Sequence, residues 1–176
     1  MSVLDLNKLA QVGFIVKDVE QTKQKFAELF GMPVPPTVDC GKYEVTQTEY
    51  KGKAAPKAEC LMAFFNLDNG FQIELIQPNE APSTWREFLE EHGEGIHHIA
   101  FHVKGMAETI AGCESLGMQL QQKGEYGSAD GRYAYLAAYE DFKCLVELLE
   151  SDNDRMGGKY ECIGDRCRPG TGKGIV

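Results

Sequence analysis

The chain has no apolar run long enough to span a bilayer, and its first ten residues, Met1 to Ala10, lack the apolar core of a signal peptide. A cytoplasmic protein is therefore expected. Positive charge is also scarce: 18 lysines and arginines stand against 27 aspartates and glutamates, a formal net charge of −9. That balance argues against nucleic acid or an anionic membrane as partner and leaves a small-molecule substrate. Paired cysteine motifs are missing too. Of the cysteines at 40, 60, 113, 144, 162 and 167, only Cys162 and Cys167 lie close together. Structural zinc usually takes four ligands from two such pairs. The other four fall in apolar or mixed segments, where a reduced cysteine behaves as a small hydrophobe. What remains is an ordinary globular composition, 43% hydrophobic and 26% charged over 176 residues. It suffices for one domain or two tightly fused modules.

A repeat is present. Residues 11–22 read Q-V-G-F-I-V-K-D-V-E-Q-T and residues 98–109 read H-I-A-F-H-V-K-G-M-A-E-T, 87 positions apart without a gap. A second pair closes each half: F-Q-I-E-L-I at 71–76 and C-L-V-E-L-L at 144–149. Each half thus opens on an alternating strand, passes through a helix and finishes on a strand with a central glutamate.

The coarse elements follow from periodicity. In the first half we expect a strand over 9–16 and a helix over 19–30 whose apolar residues are Val19, Phe26, Leu29 and Phe30. Extended chain is expected at Pro33–Pro36, and a loose strand over 43–50. A hairpin over 60–65 and 71–76 should turn at Asp68-Asn69-Gly70. Thr84 and Glu87 read as a capping box ahead of Phe88 and Leu89. The second half repeats the plan with strands near 96–103, 132–138 and 144–149 and a helix over 107–116. The divisions are a first βαβββ module at 7–79, a linker helix at 80–95, a second module at 96–150 and a glycine-rich tail at 151–176, expected to be extended or partly disordered.

Strand parity singles out four residues. In the opening strands Val12, Phe14 and Val16, like Ile99, Phe101 and Val103, should lie under the helices. The opposite faces carry Gln11, Gly13 and Ile15, or His98, Ala100 and His102. Glu74 and Glu147 stand mid-strand between apolar neighbours, an uncomfortable place for a carboxylate without a partner. Gln11 is the repeat equivalent of His98, and Glu74 that of Glu147. A pseudo-twofold arrangement would bring all four to one centre, a mixed nitrogen and oxygen set suited to one divalent metal ion per chain.

The paired βαβββ plan, with V-K-D-V-E after the first strand, F-N-L-D-N-G-F-Q-I-E-L-I-Q-P, and S-T-W-R-E-F-L-E-E-H-G-E-G-I-H-H-I-A-F-H-V, resembles the vicinal oxygen chelate superfamily. Within it the local match is to methylmalonyl-CoA epimerase. The resemblance covers about residues 8–150 and implies an α+β fold, two tandem βαβββ modules forming a curved mixed sheet around a metal-binding cleft. Its metal positions fall on Gln11, Glu74, His98 and Glu147. It departs at Gln11, where such epimerases carry histidine; glutamine there looks like the ligand set of the eukaryotic type of glyoxalase I. The resemblance implies cobalt, nickel, zinc or manganese and a homodimer. It also implies a metal-dependent epimerase (isomerase) moving a proton beside a bound carbonyl. Glu147 is the first choice of base, with Glu74 or Glu59 on the other side. His97 is expected to point away from His98, and His102 to line the pocket. The alternatives are lactoylglutathione lyase, with a glutathione adduct in place of an acyl-CoA, and a non-catalytic small-molecule binding or resistance protein.

Overall fold

Alternating small and apolar residues from Leu9 to Ile15 make a strand that runs down the middle of everything else. The computed structural model describes residues 2–153 and, as backbone, residues 160–163 and 166–169. After a 3-10 turn (Leu6–Lys8) come β1 (Leu9–Ile15), α1 (Val19–Phe30), β2 (Thr37–Asp39), the one-turn α2 (Tyr43–Thr46), β3 (Glu49–Tyr50), β4 (Lys53–Ala54), β5 (Cys60–Asn66) and β6 (Gln72–Pro78). Then follow α3 (Thr84–His92), β7 (Gly95–His102), α4 (Met106–Glu114), β8 (Leu120–Tyr126), β9 (Gly131–Leu136), the short α5 (Tyr139–Phe142), β10 (Leu145–Ser151), β11 (Tyr160–Ile163) and β12 (Arg166–Pro169).

Ten strands form one mixed sheet in the order β2-β5-β6-β1-β7-β10-β9-β8-β3-β4. The antiparallel pair β1 and β7 is its seam. Outward from the seam both sides repeat one scheme: a parallel neighbour (β6 or β10), then antiparallel strands (β5 and β2, or β9 and β8). The fold is α+β, two βαβββ modules in a curved mixed sheet.

Strand parity sorts the core. On one face α1 buries Val19 and Ala27 with Val16, Ala63, Phe65 and Leu75, while the Phe14 ring meets Phe26 edge-on at 5.7 Å. On the same face of the second half, α4 packs Cys113 against Phe101, Leu136, Val146 and Leu148. The opposite face of β1 carries Ile15, which joins Ile76, Cys60 and Tyr135 beneath Trp85 and Phe88 of α3. The helix between the modules therefore lies on the face that also bears Gln11. Burying one such large apolar side chain contributes about 1.5–3 kcal/mol, so α3 is held chiefly by Trp85 and Phe88.

Several elements differ from expectation. Leu29 and Phe30 are exposed because the buried stripe of α1 runs through Val19, Lys23 and Ala27. Lys23 reaches inward because its ammonium meets Glu20 at 2.9 Å and the Thr37 hydroxyl at 2.7 Å. Residues 43–50 do not form one strand: α2 ends where Gln47 turns left-handed, and only Glu49–Tyr50 extends. That strand pairs with β8, so a first-module segment edges the second half. Strands β2 and β8 carry no clear alternation and were not expected. The cap of α3 is Ser83, whose hydroxyl accepts from the Arg86 N–H at 3.1 Å. Thr84 donates to Gln122 Oε1 instead, and the Glu87 carboxylate accepts from the Tyr50 hydroxyl at 2.7 Å. The expected extended tail falls partly on residues 154–159, 164–165 and 170–176, which lie outside the described residues. Between them β11 and β12 pair antiparallel, with Cys162 in register with Cys167.

Candidate metal centre

The four central strands each contribute one polar side chain to a single buried point. Gln11 stands on β1, Glu74 on β6, His98 on β7 and Glu147 on β10. Register explains the meeting: Glu74 lies beside Gly13 on the first side of the seam, and Glu147 beside Ala100 on the second. Gly13 and Ala100 are repeat equivalents, so the two carboxylates are related as the two halves are. Their exposures are 5% for Gln11, 6% for Glu74, 0% for His98 and 3% for Glu147.

The other three converge on the His98 imidazole. His98 Nε2 lies 3.0 Å from Glu147 Oε2, 3.4 Å from Glu74 Oε2 and 3.1 Å from Gln11 Oε1. One ring nitrogen offers at most one proton, so it cannot satisfy three oxygens. Glu147 Oε2, though near, has no hydrogen-bond partner among the described residues. A buried carboxylate oxygen left in that state costs free energy unless a cation meets it. The ligand atoms of Glu74, His98 and Glu147 all lie within 4.8 Å of one another. One imidazole nitrogen and three side-chain oxygens, one of them orphaned, fit a divalent ion of borderline character.

The electrostatics tell the same story. Burial alone would favour neutral His98, but Glu147 and then Glu74 outweigh it and hold the imidazole up at about 9. Burial raises the Glu74 carboxyl, with His98 opposing and Glu147 adding to the rise. The two carboxylates thus draw positive charge to this point, which a proton on His98 Nε2 or a divalent ion in that proton's place would supply.

Further residues, not anticipated from strand parity, hold this arrangement. The register of β1 and β7 slips between Gly13 and Phe14, so His97 sits at a bulge. It therefore does not point away: His97 Nδ1 lies 2.9 Å from His98 Nδ1, and both rings are fully buried. Burial, then the neighbouring His98 charge, push His97 well below its ordinary value, so it is neutral and accepts the His98 Nδ1–H. Gln11 donates through Nε2 to Gln72 Oε1, and Gln72 donates in turn to Asn66 at 2.7 Å, turning the Gln11 oxygen toward the cluster. Gln72 was legible in principle, two residues before Glu74 and on its face. Gly13 leaves room for the ring: a Cβ there would fall 1.9 Å from His98 Cε1. Tyr135 walls the site, its ring 5.1 Å from that of His98 and its hydroxyl accepting from Trp85 Nε1 at 3.2 Å. His102 and Glu59 are exposed, and Glu59 uses its backbone carbonyl to hold the Asn79 N–H.

Comparison with known proteins agrees with this architecture. Over 151 residues the chain is 26% identical to the uncharacterized protein YqjC of Bacillus subtilis, covering 85% of this chain and 96% of that one. A Streptomyces coelicolor methylmalonyl-CoA epimerase variant in complex with 2-nitronate-propionyl-CoA superposes with a TM-score of 0.58 at 23% identity, over 82% of this chain and 96% of the other. The methylmalonyl-CoA epimerase of Mycobacterium tuberculosis gives 0.57 at 20% identity, over 86% and 92%. At these identities the likeness is one of fold. Residues 10–135 match the Glyoxalase/Bleomycin resistance protein/Dioxygenase superfamily, and the chain belongs to that superfamily.

Proposed function

We propose that the protein is a divalent-metal-dependent epimerase acting on a 2-substituted acyl-CoA of the methylmalonyl-CoA kind. The observation that carries this reading is the buried meeting of Gln11, Glu74, His98 and Glu147 around an oxygen with no hydrogen-bond partner. Family membership supports it, as does the fold likeness to a methylmalonyl-CoA epimerase in complex with methylmalonyl-CoA and NH4+. Gln11, Glu74, His98 and Glu147 would hold the ion; cobalt, nickel, zinc and manganese all suit the set. When bound, the ion supplies Lewis acidity at the thioester oxygen and so acidifies the neighbouring C–H.

The protein's own groups do the rest. Gln72 and His97 fix the orientation of Gln11 and His98. Glu147 takes the proton from the carbon next to the carbonyl, and Glu74 returns one to the opposite face. Inversion needs a proton acceptor on one face of the carbon and a donor on the other, and strands β6 and β10, which carry Glu74 and Glu147, flank the seam symmetrically. Tyr135, Trp85 and Phe88 keep bulk water from the exchanging proton.

A second reading, lactoylglutathione lyase, is favoured by one observation: Gln11 brings an amide oxygen where a histidine would bring a second ring nitrogen. Metal analysis of the purified protein, followed by two assays, separates the readings. Deuterium incorporation at C2 of methylmalonyl-CoA in heavy water is the expected result. Consumption of the methylglyoxal–glutathione hemithioacetal without exchange would move the assignment to the lyase. Inactivity in both, with metal bound, would leave a binding protein.

A further inference from the structure

We propose that Cys40 and Cys60 are a thiol pair that a low-molecular-weight disulfide converts into an intrachain disulfide bond, with Cys40 as the entering thiol. The pair is built by register. Strands β2 and β5 align Thr37 with Ala63, Val38 with Met62 and Asp39 with Leu61, and one further step brings Cys40 opposite Cys60. The Cys40 N–H donates to the Cys60 carbonyl at 3.2 Å, and the Cys60 N–H donates to Cys40 Sγ at 3.4 Å. Directly opposed residues of an antiparallel pair have Cα atoms about 4.5–5.5 Å apart, inside the range of about 4.4–6.8 Å that a disulfide spans.

The two sulfurs differ in access and in acidity. Cys40 is half-buried and Cys60 is buried. The hydrogen bond from the Cys60 thiol, helped by the Cys60 N–H and opposed by burial, brings Cys40 down to about 7. The same contact, together with burial, pushes Cys60 well up. The accessible sulfur is thus the thiolate near neutrality, and the covered one resolves. In the first step the Cys40 thiolate attacks one sulfur of RSSR, the S–S bond breaks and RS⁻ leaves, taking up the Cys60 thiol proton. The Cys60 thiolate so formed then attacks Cys40 Sγ in the mixed disulfide and expels the second RS⁻, which takes from solvent the proton that Cys40 released on ionising. Two thiols and one RSSR give one protein disulfide and two RSH.

The location gives the bond a consequence. Cys60 packs in one cluster with Ile15, Ile76, Trp85, Phe88 and Tyr135. The bond would fasten edge strand β2, and the chain leading to α2, onto the wall of the candidate metal centre. This inference stands on the thiol geometry and does not depend on the proposed reaction.

The test uses the full chain, oxidised glutathione, denaturing quench with N-ethylmaleimide, and non-reducing tryptic mapping. The expected product links peptide 26–42 to peptide 58–86, each holding one cysteine, and dithiothreitol dissolves the link. Cys60→Ser should hold glutathione on Cys40, and Cys40→Ser should leave Cys60 free to react with the maleimide. Both thiols alkylated in oxidised wild type, or a link from Cys40 to any other cysteine, would overturn the pairing. Glutathione reaching Cys60 in Cys40→Ser as fast as it reaches Cys40 in Cys60→Ser would overturn the order of attack.

Discussion

A methyl group at position 13 and the His98 ring cannot occupy the same space, since the Cβ would fall 1.9 Å from Cε1. The atom it meets belongs to a ring fully buried between strands, so the ring cannot swing away cheaply. Gly13→Ala is expected to displace the imidazole, cost about 1–3 kcal/mol in denaturant unfolding, and weaken metal binding about 10–100-fold by titration, as loss of ligand orientation does. Unchanged stability together with unchanged metal affinity would mean that His98 does not need this place. Glu147 carries the chemical claim. Glu147→Gln is expected to lower C2 proton exchange by at least ~100-fold, the low end of what a positioned base supplies. Saturating metal should not restore it, because an amide cannot take up the proton; full recovery would reduce Glu147 to a ligand alone. At this scale the sequence disclosed the four converging residues through parity and the repeat. It concealed His97, because a one-residue bulge reverses parity from that point on, and the doublet His97-His98 gives no outward sign of the slip. It also concealed Tyr135, whose role depends on a cross-strand partner, Glu147, that register alone supplies.

Helix α4 starts at Gly105, which offers no capping side chain. The missing acceptor comes from another element. Glu150, at the end of β10, accepts from the Gly105 N–H at 2.5 Å, from the Met106 N–H at 3.3 Å and from Arg132 Nη1 at 3.0 Å. Burial would raise this carboxyl, but Arg132 and the two N–H groups outweigh it and hold it below 4.5. A depressed carboxyl contributes stability that is present above its unfolded value and lost as pH falls through its folded one. Glu150→Gln is therefore expected to cost about 1–2 kcal/mol near neutrality, as loss of a helix cap and a charged hydrogen bond does. The variant should also flatten the loss of stability below about pH 4.5. Urea melts across pH 3–7 check both, and parallel curves for wild type and variant would refute the cap. Elements with strong local signals were legible: the span of α1, though not which of its residues are buried, and the Asp68-Asn69-Gly70 turn between β5 and β6, where Gly70 takes φ 84°. Those whose structure is conferred from outside were not. Polar β8 is a strand because β9 and β3 pair with it on both sides. The cap of α3 shifted one residue because Gln122, on that same strand, claims the Thr84 N–H at 2.8 Å.

At the scale of the molecule, the two halves meet along one seam, and the candidate ligands straddle it: Gln11 and Glu74 come from the first half, His98 and Glu147 from the second. The 87-residue offset between Gln11 and His98 announced that symmetry in the bare sequence; the crossing of β3 and β4 to the far edge did not, since nothing local marks a strand's partner. An ion bound by all four side chains exists only in the folded state, so it adds RT ln(1 + [M]/Kd), about 2.7 kcal/mol at a hundredfold excess over Kd. For a chain of this length each kcal/mol moves Tm by about 2–4 °C, which gives a rise of roughly 5–11 °C over protein stripped with a chelator. Because the ligands span the seam, removing either half's share should abolish the whole rise rather than half of it. Glu74→Gln and Glu147→Gln are each expected to melt within about a degree of their chelator-treated forms, while Glu59→Gln, altered at an exposed position, keeps the full shift. Calorimetric scans at fixed metal excess read this directly. A wild-type shift that survives in both carboxamide variants would place the ion elsewhere on the protein. Loss in one variant alone would mean that a single module holds the ion without the seam.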